Sequence, residues 1–127
     1  MARFEVKSRR ITVDQTLYTY SVAQKREGIQ LLVYRDKRPF LRLEQDWTEA
    51  WGINLYRPGV VARIIRHYRQ RGAPPEPLLL CREPELFIML VEFCFAPEEQ
   101  KEKEWFLQCR ARIQAQSTSE DKGEMTL

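Results

Sequence analysis

The run Pro58-Gly59-Val60-Val61-Ala62-Arg63-Ile64-Ile65-Arg66-His67-Tyr68-Arg69-Gln70-Arg71-Gly72 decides how the chain is read. Val60, Val61, Ile64, Ile65 and Tyr68 recur at helical spacing and make one apolar stripe. Proline suits the first helical position, where its missing N–H would have no partner. Gly72 is a common C-terminal stop, and the prolines at 74, 75 and 77 cannot continue the helix. A helix with a single apolar stripe has to bury it against another layer.

The upstream residues supply that layer. Between residues 17 and 22, Tyr18, Tyr20 and Val22 alternate with Leu17, Thr19 and Ser21, which suits a half-buried strand. Residues 29–34 and 40–43 read as two more strands, and Ile11-Thr12-Val13 as a short one. Asp14-Gln15, residues 24–28 and residues 35–38 are the turns between them. Pro39 opens its strand, where a missing N–H is tolerable. Residues 46–57 lose this periodicity and predict an ordered connection with a short helical turn over 47–51.

Downstream, residues 78–94 hold two uninterrupted apolar runs, which fit either a buried strand or a helix segment. A strand over 87–92, beside the meander, is the preferred assignment. Pro97 opens a C-terminal helix, with Glu98 and Glu99 complementing its dipole. Trp105, Phe106, Cys109 and Ile113 fall on one side of it. The predicted fold is therefore α+β: an antiparallel β-meander of three to five strands packed on one central amphipathic helix, with a C-terminal helix. Residues 1–113 are expected to form a single globular domain, and 114–127 a disordered polar tail.

With 43% hydrophobic and 31% charged residues, the composition is that of a globular chain. The net charge of +3 is too weak a global field to imply a nucleic-acid partner, so the arrangement of charge matters more. An odd set of cysteines, Cys81, Cys94 and Cys109, is not a disulfide framework. Their apolar neighbourhoods predict buried thiols in a reducing compartment. Residues 86–91 form the longest apolar run, far short of a membrane span, and the N-terminus has no signal-peptide core. The expected location is the cytoplasm, with no membrane partner.

Two sets of residues are candidates for function. Arg57, Arg63, Arg66, Arg69 and Arg71 lie on or beside the polar face of the helix, with no acidic residue among them. A guanidinium fork suits phosphate or carboxylate, so this face is a candidate for binding an anion or a partner. The competing interpretation is a solvated face, partly neutralised by the glutamates of 98–104. The other basic residues, including Arg9, Arg10, Lys25, Arg26, Arg35, Lys37 and Arg38, fall near turns and edges, where they discourage strand pairing. The second set is an aromatic contact loop of Trp47, Trp51 and Tyr56, residue types enriched at binding hot spots and equally able to lid a core.

No catalytic residue is assigned. His67, the single histidine, has no nucleophile motif near it. No cluster has metal-ligand spacing, and no glycine-rich phosphate loop is present, so no metal or cofactor is expected. The function itself is not written in these patterns. The leading interpretation is a small non-catalytic interaction domain, for an unknown protein partner or for self-association. The alternative is a nucleic-acid-binding accessory protein that uses the arginine-rich helix face.

Overall fold

The computed structural model describes residues 8–125, with side chains described as far as residue 112. The chain divides into two compact units, Met1–Cys94 and Phe95–Leu127.

In the first unit, strands β1 (Arg9–Val13), β2 (Thr16–Gln24), β3 (Gly28–Arg35) and β4 (Arg38–Asp46) lie antiparallel in sequence order. Tyr20 pairs with Val33, Val33 with Leu41, and Leu31 with Leu43. Matching parity along each strand gathers these side chains on one face, and all are buried. The turns Asp14-Gln15 and Asp36-Lys37 have positive φ at both positions, as a two-residue hairpin turn requires to match strand twist. Gly28 is required by close approach, because a Cβ there would sit 1.9 Å from the carbonyl oxygen of Gln45. Val33 pairs with Leu41 and Tyr34 with Pro39, which leaves Phe40 as the extra residue of a β-bulge.

Helix α1 (Trp47–Gly52) begins at a capping box. The Asp46 carboxylate accepts from the Glu49 N–H at 2.8 Å, and the Glu49 carboxylate accepts from the Asp46 N–H at 3.1 Å. Helix α2 (Pro58–Arg71) has the predicted bounds and buries the predicted stripe. Gly72 closes it at φ 81°, its N–H donating to the Tyr68 carbonyl at 2.7 Å. Helix α1 contacts β3 and β4, while α2 contacts β1.

Residues 78–94 depart from the preferred assignment. Only Leu78–Leu79 is a strand, β5, and it runs parallel to β4 at Leu43 and Glu44. A 3₁₀ turn (Leu80–Arg82) leads into helix α3 (Pro84–Cys94), which occupies the stretch expected as a strand. Leu86, Phe87, Leu90 and Val91 are buried at helical spacing, while Ile88 is 59% exposed. That outward apolar residue hides the period. Pro84 and Glu85 at the helix start are the signals that favour a helix. Helix α3 packs on α2.

The second unit opens with a 3₁₀ turn (Pro97–Glu99), where the Ala96 N–H donates to the Glu99 carboxylate at 2.9 Å. Helix α4 (Gln100–Met125) follows. The rings of Phe95 and Phe106 lie 5.7 Å apart. Trp105, placed with Phe106 on the expected apolar side, is 55% exposed. The backbone of α4 continues through the segment expected as a polar tail as far as Met125, and the side chains there and at Ile113 lie outside the described residues. Among the described residues, no helix is long and apolar enough to cross a membrane.

Candidate functional site

The four arginines of α2 and Arg57 at its N-cap go to three places. Arg57 and Arg63 rest on the ring of Phe93, their guanidinium carbons 4.8 and 3.6 Å from its centroid. Gly59 makes room for that ring, since a Cβ there would lie 2.8 Å from it. Arg66 reaches the Asp14 carboxylate at 3.4 Å, and Arg69 donates to the carbonyls of Val13 and Asp14, both at 2.9 Å. This pair clamps the β1–β2 turn to α2. Arg71 meets Glu85 at 2.6 Å and donates to His67 Nε2 at 2.9 Å. The predicted basic face is thus shared out among an aromatic ring, a turn and an acidic residue of α3.

The aromatic loop is outward-facing. Trp47 is about half exposed, and its indole N–H donates to the Arg26 carbonyl at 3.0 Å, which ties α1 to the β2–β3 turn. Trp51 and Tyr56 are also exposed, whereas Ile53 and Leu55 between them are fully buried. Those two aliphatic residues fill the core, so the aromatic residues do not serve as its lid.

His67, Tyr68, Arg71, Glu83, Glu85 and Leu86 line a cleft of about 270 Å³. The Tyr68 hydroxyl donates to Glu83 at 2.7 Å. Burial, and then that hydrogen bond, raise the phenol well above its ordinary value. Burial, followed by the charge of Arg71, lowers His67, with Glu85 and Glu83 opposing. An Arg71 N–H directed at the ring suits a neutral imidazole acceptor. The cleft therefore holds an internal hydrogen-bond network whose imidazole is already engaged. Among the described residues, no group of three or more His, Cys, Asp or Glu is placed to hold a metal ion.

The cysteines depart from expectation. Cys81 is exposed, and Cys94 and Cys109 are only half-buried. In the 3₁₀ turn Leu80 points inward, leaving Cys81 and Arg82 outside. Burial pushes the Cys94 thiol up, against the Asn54 backbone, Arg57 and Arg63. A thiol reagent added to the native protein should therefore modify Cys81 first and Cys94 later. Peptide mass spectrometry over time checks this, and a Cys81 that labels only after unfolding would contradict it.

One surface feature was not anticipated. Strand β5 pairs with β4 only at Leu43 and Glu44, so from Arg38 to Arg42 no strand flanks β4 on that side among the described residues. The loop that precedes β5 carries Pro74, Pro75 and Pro77, which have no N–H to donate. Between the β4 edge and this loop lies a groove of about 570 Å³, walled by Leu32, Tyr34, Phe40 and the three prolines. Pro39 and Phe40 also line an adjoining hollow of about 530 Å³ with Arg35, Asp36 and Arg38. The prolines were legible as helix breakers; their position along a sheet edge follows only from the parallel pairing of β5.

By its fold the chain is an α+β protein, and among the described residues part of the β4 edge has no strand beside it. Comparison with protein-family models, with curated proteins and with solved structures finds no match.

Proposed function

We propose that this chain is a small non-catalytic interaction domain that binds an extended segment of a protein partner in the groove beside β4. The stretch from Arg38 to Arg42, which no strand flanks among the described residues and along which a mainly apolar groove runs, carries this proposal. Edge strands present unused main-chain groups, and natural proteins block or cover them. Here the flanking loop is proline-rich and cannot complete a ladder, so the edge remains able to accept an added strand. The tyrosine, phenylalanine and proline walls give apolar side chains of that strand somewhere to sit. A cytoplasmic setting fits three cysteines outside any disulfide. The nucleic-acid alternative has less support, because Arg66, Arg69 and Arg71 are engaged with Asp14, the Val13 carbonyl and Glu85.

Panning a displayed library of random nonapeptides against the protein tests the proposal. Enriched peptides are expected to bind Pro75→Trp, which fills the groove, and Tyr34→Ala, which removes a wall, at least about ten-fold more weakly, or roughly 1.4 kcal/mol. Both substitutions are at exposed or half-exposed positions, and circular dichroism confirms that the fold is kept. Enriched peptides that bind both variants as well as the parent would reject the groove as the site.

A further inference from the structure

We infer that the segment bound beside β4 is acidic, with its Asp or Glu residues at the end nearest the β3–β4 turn. This inference rests on the groove being a binding site, and it adds the chemistry of the partner.

Arg35 and Arg38 stand directly opposite each other across the last pair of β3 and β4. Like charges in that relation repel and destabilise the pair. Lys37 lies in the turn between them, and Asp36 is the single carboxylate there. Among the described residues, no ion pair includes Arg35, Lys37 or Arg38. Three cations are therefore gathered beside one acid at one end of the groove, where the adjoining hollow is lined by Arg35 and Arg38. Arg10 adds to the same field: it shares a cross-strand row with Thr19, Tyr34 and Pro39.

The other end of the groove is neutralised. Arg42 meets the Glu44 carboxylate at 3.1 Å, and the same oxygen accepts from Gln30 at 3.0 Å. The groove is thus mainly apolar, with the charge of Arg42 balanced at one end and the cations of the adjoining hollow beyond the other. An extended segment fits it with apolar side chains toward Tyr34 and Phe40, and with carboxylates reaching the turn. A second copy of this chain is a poor occupant. Among the described residues its open edges are β1, which carries Arg9 and Arg10, and the start of β4, which carries Arg38 and Arg42, so pairing through either would bring arginines toward Arg38.

Three fluorescent nonapeptides provide the test. All carry valine and phenylalanine at alternate positions, with glutamate, serine or lysine in between. Fluorescence polarisation at low salt should rank glutamate tightest and lysine weakest, with glutamate about ten-fold ahead of serine and the lead shrinking as salt is raised. The double variant Arg35→Glu/Arg38→Glu should reverse the ranking, while Pro75→Trp should weaken all three. Equal binding of the glutamate and serine peptides, both weakened by Pro75→Trp, would overturn the acidic partner and leave the groove standing. A glutamate preference that survives the charge reversal would also overturn it, since the turn would not be its source. If Pro75→Trp weakens none of the peptides, the groove itself is rejected and this inference with it. Sedimentation that finds a dimer of the parent and a monomer of Pro75→Trp would assign the edge to a second copy instead.

Discussion

Replacing Ile64 with alanine is expected to lower the stability of the protein by about 2–5 kcal/mol. Ile64 is fully buried in the middle of α2, as are Val60, Val61 and Ile65 on either side of it. The truncation removes apolar contact and leaves a cavity that close-packed neighbours fill only in part. A domain of this size is stable by about 5–15 kcal/mol, so the loss is a large share of the total. Urea unfolding should show a lower midpoint with an unchanged slope, the mark of lost stability rather than an altered unfolded state. A loss below about 1 kcal/mol would mean that the stripe is not the part of α2 that holds the core together.

The second large effect belongs to Arg69. One guanidinium nitrogen donates to two main-chain carbonyls of the β1–β2 turn, at 2.9 Å each. Hydrogen bonds that involve a charged group contribute about 1.5–3 kcal/mol, so Arg69→Ala should cost about that much. Arg66→Ala should cost under about 1 kcal/mol, because its contact with Asp14 is a half-exposed ion pair. The two variants together separate a structural arginine from a binding one. Arg69→Ala is expected to lower the unfolding midpoint and leave peptide affinity in the groove unchanged. Equal, small losses for both would indicate that the turn does not depend on the clamp.

Which elements were legible in the sequence follows from how local their signals are. Pro58 and Gly72 bracket a run whose apolar spacing has one solution, so α2 could be placed to the residue. The meander was equally readable, because residues 17–22 and 29–34 are rich in β-branched, aliphatic and aromatic residues and are separated by polar turn residues. Helix α3 was not, since Ile88 and Met89 carry apolar character onto its outer side and blur the period on which the assignment depends. Strand β5 spans two residues, too few for any period. The engagements of the arginines were also hidden. Asp14 lies far from Arg66 and Arg69 in the sequence, and only the fold brings the turn to the helix. The open edge is more distant still from any local pattern, since it depends on where a parallel pairing stops.

The order of the strands bears on how the protein emerges from the ribosome. Each of β1 to β4 pairs with its neighbour in sequence, so the hairpins can close as soon as their residues are free. The apolar face they create is not fully covered until α1 and α2 have followed. At about 5–20 residues per second, translation needs roughly one to five seconds to deliver the residues between Asp46 and Arg71. Over that interval Leu31, Val33, Leu41 and Leu43 of the nascent sheet lack part of the cover that buries them in the finished fold. Transiently exposed apolar surface of this kind is what makes a partly made chain prone to aggregate.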